Sequence, residues 1–589
     1  MTFKMNQMLQ VGIFLLSLTI FFSSCKSESS TSSISYENKA VIHTISEPKL
    51  LTPYNSSDSF SSTVKTRLFQ ALLSLDYYSY EAIPVLSTAL PIITNENGNV
   101  NMEMEIRPEA KWDNGTPITA KDVEFSLKMI NVPKVDNGHL KPYFEFIKDI
   151  EIDKTNPRKF TLKCGKPYMA MVNTLTSLEV IPAYTYDPEG ILKGFSLKQL
   201  TSKAKNLEKN ADLLKMAEQF NAPKFQREVI VGSGPYTLES WETNQRLVLK
   251  KKKDWWGDAL RDVNHYFKAD AEEIVYEVIS DGTTAVVALK GEKVDAMNRI
   301  DPRVFVEDLQ NSSNFLDKFK PHTPPQFLYS YLGMNTKHPK LRDLNTRKAM
   351  RHILDVEQYQ ETVFYGMAER VTSIVHPLQT KMLNKDIPLY KKDLEKAKAF
   401  LKAGGWKDSN GNGTVDKLIE GQLTELEIDF IYPNASKNSG RAVLMFQEYA
   451  KQVGIAVKIK PIEYSVFLDN LKNHNFEMYF GIWGASPLGS DPKQTWHTSS
   501  YSSGTNFVGF GTPESDILIE KLRAEMDEDK RAEHYKTLQK MIDEECVYVF
   551  INATKNRVAI HNKFKNARSS AVNPGFFPPN FIVQNVIAN

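Results

Sequence analysis

Cysteine is scarce in this chain: there are three in 589 residues, Cys25, Cys164 and Cys546. Small secreted scaffolds held by disulfides carry more, usually in even number, so this fold has to rest on a packed core. Cys164 in "KFTLKCGKPY" and Cys546 in "EECVYVFI" sit in strand-like contexts. They read as buried free thiols, with a Cys164–Cys546 pair as the alternative. Long apolar runs are scarce too: residues 11–22 form the one extended run, and about a dozen residues is too short to span a bilayer. Charge of one sign is also lacking. The formal net charge is +2, which excludes a nucleic-acid partner recruited by a global field, and the lysines of "VLKKKKDWWG" read as a solvated strand end. The 11 histidines form no H-x-x-x-H, and no G-x-S-x-G, Walker A or G-x-G-x-x-G run appears. Those absences remove the common metallopeptidase, hydrolase and nucleotide signatures, so the chain reads as neither an enzyme nor the holder of a cofactor.

What is there begins with the N-terminus. Lys4, the apolar run and Ser23-Ser24 supply the three parts of a secretory signal, residues 1–24. A cysteine directly after a small residue at that point resembles the bacterial lipobox, although Phe22 stands where leucine is usual. That resemblance implies a mature chain starting at an acylated Cys25, tied to the bilayer through several acyl chains. Residues 25–40 are serine-rich and read as a flexible tether. The expectation is a lipid-anchored protein of the cell envelope, periplasmic or surface-facing.

Beyond the tether, strand-like and helix-like segments alternate without a repeat. "NMEMEIRPEAKW" alternates Met102, Met104 and Ile106 with Glu103 and Glu105, a half-buried strand. Asn114-Gly115 then marks a turn, and Thr119 and Asp122 predict a helix start. "GSGPYTLESWETNQRLVLKKKKDWWG" predicts two strands around a turn at Asn244. "KLRDLNTRKAMRHILDVEQYQETVFYGMA" predicts helix up to Gly366. "YKKDLEKAKAFLKAGGW" predicts an amphipathic helix capped by Asp393 and ended by Gly404-Gly405. "LEIDFIYPN", a helix through Val443 and Tyr449, and "GIAVKIKPIEY" form a strand–helix–strand unit. Such a pattern predicts α/β lobes with helix-covered sheets.

One stretch has metal-ligand spacing. In "DSNGNGTVDKLIE", Asp408, Asn410, Asn412, Gly413 and Asp416 occupy positions one, three, five, six and nine of a calcium loop. Position twelve, which should be a bidentate glutamate, is Ile419, and Glu420 follows one residue late. The competing reading is an Asn/Gly-rich surface turn without metal.

Several ordered segments resemble the family 5 extracellular solute-binding proteins, the dipeptide and oligopeptide receptors of ABC importers. They are "LTPYNSSDSFSSTVKTRLFQALLSLD", "IRPEAKWDNGTPITAKDVEFSL", "VGSGPYTLESW" with "DWWG", "LKGEKVDA", "GMNTKHPKLRDLNTRKAMRHILD" and "LEKAKAFLKAGGW". The resemblance implies a two-lobe α/β periplasmic-binding-protein fold with a hinge and an extra domain inserted in lobe I. Carried onto this chain, lobe I takes residues 41–74, 229–322 and 548–589, the inserted domain 75–228, and lobe II 323–547. It also implies a function: a monomer that closes two lobes on a peptide and passes it to an ABC permease in the membrane. The alternatives are a receptor of the same fold for a nickel chelate, haem or oligosaccharide, and a surface-anchored hydrolase or chaperone.

The site residues follow from the same resemblance. "FGIWGASPLGSDPKQTWHTSS" matches the lobe II strand and loop that face the cleft, which nominates Trp483 as an aromatic wall and Gly484 for close approach of ligand backbone. Peptide-binding members place an aspartate shortly after that tryptophan to pair with the ligand's α-amine. Here that position is Ser486, and an Asp-Pro follows later at Asp491-Pro492. The amine anchor has therefore either moved to Asp491 or is missing. Ser56 and Ser57 match the cleft-facing loop of lobe I, and Asn506 either rims the site or only shapes its loop.

Overall fold

The strand Lys39–Thr44 buries Ala40 and Ile42 and lies parallel to Glu273–Val278 on one side and to Ala296–Met297 on the other. Flanked on both sides, it can read as apolar almost throughout. It is the middle strand of a seven-stranded sheet whose order is Phe319–His322, Val558–His561, Ala296–Met297, Lys39–Thr44, Glu273–Val278, Arg246–Lys251 and Tyr236–Glu242. Three stretches far apart in sequence, 39–44, 236–322 and 558–561, thus build the lobe I sheet. The computed structural model describes residues 33–34, 36–54, 58–137, 140–202, 204–584 and 586–587. The leader, Cys25, most of the tether, Ser56 and Ser57 lie outside the described residues.

The inserted domain carries a four-stranded antiparallel sheet in the order Ile92–Glu96, Asn99–Glu105, Lys159–Cys164, Ile147–Ile152. Val100, Met102 and Met104 point inward on the period of two. The tryptophan and acidic residue of "KWDNGTPITAKD" serve a helix start. Thr119 and Asp122 form a capping box for Ala120–Asn131, and Trp112 Nε1 donates to Asp122 Oδ1 at 3.1 Å. Burial pushes the Asp122 carboxyl up, against hydrogen bonds that favour its charge. One continuous buried cluster joins this domain to lobe I, running from Ala40 and Ile42 through Met102, Phe125 and Phe160 to Phe577.

Lobe II is built on a five-stranded sheet in the order Ala456–Ile462, Glu427–Pro433, Met478–Gly484, Leu328–Met334, Tyr548–Phe550. The helix Lys437–Lys451 connects the parallel pair Glu427–Pro433 and Ala456–Ile462, with Val443 and Phe446 buried. The segment predicted as one helix up to Gly366 is two, Leu344–Arg351 and Val356–Phe364. The break falls where Asp355 caps the second helix by accepting from Gln358 N at 3.0 Å, and such a cap competes with helix continuation. Cys164 and Cys546 are both free and buried.

Two strand segments cross between the lobes. Residues 323–327 lead from Phe319–His322 to Leu328–Met334, and the chain returns between Phe550 and Val558. Tyr548–Phe550 pairs with Tyr331–Gly333, so these residues belong to the lobe II sheet, not to lobe I as the division at 547/548 expected. The crossings run antiparallel: Asn556 N donates to Pro324 O at 2.7 Å and Gln326 N to Thr554 O at 3.1 Å. A second contact between the jaws lies at the inserted domain. There Met169 N donates to Arg523 O at 2.7 Å and Asn173 Nδ2 to Leu488 O at 2.8 Å.

The two faces of the lobe II sheet differ. Leu332, Met334, Ile428, Phe430, Met478 and Phe480 fill one. Tyr329, Tyr331, Tyr479 and Tyr548 fill the other, with Tyr331 stacked on Tyr548 at 3.8 Å and its hydroxyl 3.1 Å from that of Tyr479. Glycine makes room for these rings: a Cβ on Gly481 would fall 2.4 Å from Tyr331 Cζ, and one on Gly333 2.3 Å from Tyr479 Cε1. Gly481→Ala should therefore destabilise the protein by about 1–3 kcal/mol, as overpacking of a filled core does. Denaturant unfolding checks this, and an unchanged midpoint would mean that the tyrosine layer yields freely.

Candidate functional site

At the end of the strand Met478–Gly484 the chain leaves the lobe II sheet and walls a cavity of about 90 Å³. Tyr329, Trp483, Gly484, Asp491, Trp496 and Tyr535 are among its lining residues. The sheet positions Trp483 by period and by contact. Its Nε1 donates to Tyr548 Oη at 3.2 Å, and its ring lies nearly parallel to Phe507, 6.3 Å away at 12°. Trp483 thus has its N–H edge on the tyrosine layer and a face toward Phe507 while it lines the cavity. Gly484 is exposed, and a Cβ there would meet nothing within 4 Å, so its backbone is open to an incoming chain.

The loop after the strand is closed by its own hydrogen bonds. Ser486 Oγ accepts from Leu488 N at 3.3 Å, and its carbonyl accepts from Gly489 N at 3.1 Å and Gln379 Nε2 at 2.9 Å. Ser486 is therefore a turn former whose acceptors are already engaged. Tyr535 Oη donates to the Ser490 carbonyl, and burial raises its phenol. Asn506 is 1% exposed. Its Nδ2 donates to His497 O and Phe510 O, and its Oδ1 accepts from Phe510 N at 3.0 Å, so its amide closes the loop instead of standing at the rim.

Asp491 lines the cavity with its charge already paired. Arg523 Nε lies 3.0 and 2.9 Å from the two carboxylate oxygens, and Lys493 N donates to Oδ1 at 2.9 Å. Arg523 also reaches Glu520 at 2.9 Å through Nη1, and its guanidinium lies 5.4 Å from the Tyr168 ring centroid. Burial lowers the Arg523 pKa, but Asp491 and Glu520 outweigh it and hold the guanidinium above its ordinary value. Burial, followed by the Asp491 charge, raises the Tyr168 phenol. Sequence reading missed Arg523 and Tyr168, because the pairing spans 32 residues in one case and a change of domain in the other. Tyr329 was accessible through the alternation of "FLYSYLGM", which puts Tyr329 and Tyr331 on one face.

Lobe I has its own cavity, about 50 Å³, at the end of Lys39–Thr44, bordered by Ser59 and Phe60 just after the undescribed Ser56-Ser57. His43 is 4% exposed there. Its Nε2 contacts Ile279 O at 2.9 Å while Nδ1 has no partner among the described residues, and burial lowers its pKa.

The calcium-spaced loop folds as a chain of side-chain turns. Asp408 Oδ1 accepts from Gly411 N at 2.8 Å, and Asn412 N donates to Asn410 Oδ1 at 3.0 Å. Asp416 is turned inward, where its carboxylate accepts from Ser409 N at 2.9 Å and Ser409 Oγ at 2.6 Å. The four candidate ligands therefore serve the turn, and among the described residues no group of three or more His, Cys, Asp or Glu is placed to hold a metal ion.

Two lobes joined by a paired crossing, with a lined cavity at a sheet end, define a two-lobed solute receptor. The family model for bacterial extracellular solute-binding proteins, family 5 (middle region), matches residues 88–507. The chain belongs to that family. It is 24% identical over 559 residues to the oligopeptide-binding protein AppA of Bacillus subtilis (strain 168), covering 93% of each. It is 23% identical over 522 residues to the periplasmic oligopeptide-binding protein OppA of Escherichia coli (strain K12), covering 86% of each. Among solved structures, Bacillus subtilis AppA in complex with a nonapeptide superposes with a TM-score of 0.68 at 22% identity, covering 93% of this chain and 99% of that one. NikA from Brucella suis in complex with Fe(III)-EDTA gives 0.72 at 19% identity, covering 93% and 100%.

Asp416→Ala should lower the melting temperature by removing both acceptors of Ser409, and by the same amount in calcium as in EGTA. A loss seen only in calcium would reinstate the metal reading.

Proposed function

We propose that this chain captures peptides between its lobes and delivers them to the membrane permease of an ABC importer. The observation that carries this reading is the edge at Trp483-Gly484, an aromatic wall beside exposed backbone at the end of a strand. Exposed backbone of that kind can hydrogen-bond an extended main chain and leave the side chains to looser pockets. The names of the relatives AppA and OppA support the same class of solute. Closure follows from the paired crossings. A solute bound to one lobe gains the other lobe's contacts only when the jaws meet, so it favours the closed arrangement by that difference. Hydrogen bonds to it then strengthen as water leaves. The receptor binds and returns its solute intact, with no catalytic step, and acts as a monomer.

The Cys25 context supports attachment to the envelope by acyl chains, with the serine-rich stretch as tether. Among the described residues no helix is long and apolar enough to cross a membrane. In fractionated cells, Cys25→Ala should move the protein from the membrane to the soluble fraction, and an unchanged membrane fraction would remove the anchor.

Native mass spectrometry of the purified chain tests the solute class. A co-purifying mixture of peptide masses is the expected result, and a single nonpeptide mass would overturn it. Trp483→Ala should weaken binding of such peptides by about tenfold or more, the loss typical of a buried aromatic anchor. Calorimetry reads the affinity and circular dichroism the fold. Unchanged affinity would make Trp483 a packing residue only.

A further inference from the structure

Among the described residues, the cavity of lobe II has one carboxylate in its lining, Asp491, and no lysine, arginine or histidine. Taken alone, that carboxylate would make the cavity a receptor for cations. Its surroundings remove the charge. Arg523 Nε lies 3.0 and 2.9 Å from its two oxygens from just behind the lining, and the side chains are only 25% and 18% exposed. The Arg523 charge is in turn shared with Glu520 at 2.9 Å, and Glu520 meets Lys493 at 2.6 Å. Asp491, Arg523, Glu520 and Lys493 thus form a linked set of two negative and two positive groups, with His497 and then Asp516 beyond it, His497 Nε2 lying 3.7 Å from Glu520.

Arg523 is also fixed in place. Its carbonyl accepts from Met169 N at 2.7 Å, and Tyr168 lies against its guanidinium, so the inserted domain holds this helix end where the two jaws touch. Other polar groups of the lining are uncharged, and two are already spent within the protein: Tyr535 Oη on Ser490 O, and Gln379 Nε2 on Ser486 O.

We propose that Arg523 sets the solute preference of this cavity. By pairing with Asp491 it leaves the cavity neutral, so that the cavity accepts an uncharged polar end, such as an acylated or otherwise blocked peptide terminus, and disfavours an ammonium. The physical reason is desolvation. An ammonium entering a partly buried site loses its water, and a carboxylate already satisfied by a guanidinium returns too little to offset that loss. An amide or hydroxyl loses less on desolvation than an ion does, and a single hydrogen bond to the carboxylate offsets that smaller loss. Arg523 acts through Asp491 and touches no solute itself, so it is a positioning residue. The proposal rests on the peptide reading only for its choice of probe.

The test is calorimetry of the full chain with pentaalanine and with N-acetyl-pentaalanine. The unsubstituted protein should bind the acetylated form at least as tightly as the free form. Arg523→Gln, which frees Asp491, should shift the ratio about tenfold toward the free amine, while Arg523→Lys, which keeps the charge, should not. A tenfold preference of the unsubstituted protein for the free amine would overturn the proposal and leave the peptide reading standing. Capture of free pentaalanine by Arg523→Gln alone would support the proposal and count against peptides as the natural solute. If no protein binds either probe, both fail, since the freed carboxylate should then have captured the ammonium. An Arg523→Gln protein that loses its fold by circular dichroism is replaced by Arg523→Met, with the same ratio as readout.

Discussion

Among the described residues the two lobes share no sheet, and they are joined where the two crossing strands lie side by side. Pro324 and Gln326 are hydrogen-bonded to Asn556 and Thr554, so the crossings bend together and not independently. Two peptide segments tied in this way permit one lobe to swing against the other but resist sliding and twist. The constraint explains why each jaw has to be stable alone. Lobe II carries separate apolar and tyrosine-rich layers on its two sheet faces, while lobe I and the inserted domain share one core and form the opposite jaw.

Where the jaws meet, polar and apolar contacts are mixed. Met169 of the inserted domain packs with the tyrosine layer of lobe II, while Asn173 and the Met169 amide hydrogen-bond to carbonyls of lobe II loops. A mixed contact of this kind can part, as a reversible closure requires. An extensive apolar interface would hold the jaws shut whether or not a solute lay between them.

Much of the local structure was legible in the sequence because local rules decide it. The Thr119–Asp122 start, the Asp393 cap and the alternation of Met102 and Met104 are set by spacing and side-chain chemistry within a few residues. The single helix expected up to Gly366 failed for a local reason too, since Asp355 offered a competing cap. In the site, Trp483 and Gly484 could be placed from their strand, but the fates of Asp491, Ser486 and Asn506 could not. Arg523 neutralises Asp491 from 32 residues away, and nothing in the spacing of "SDPKQTW" shows it. Asn506 looks free in sequence because its partners His497 and Phe510 approach only once the loop has closed. The calcium-like spacing could not be resolved in sequence for a related reason: Asx turns and calcium loops call on the same residues, and the direction of Asp416 toward Ser409 shows only in the fold.

The seven-stranded sheet has a consequence for biogenesis. Val558–His561 lies between Phe319–His322 and Ala296–Met297, so a strand near the end of the chain is interior to a sheet begun at Lys39. Until those last residues emerge from the ribosome, the sheet has a gap that no other segment fills. Lobe II depends less on the terminus, since four of its five strands precede Gly484. A chain read from one end therefore keeps its first jaw incomplete until Val558–His561 has been made.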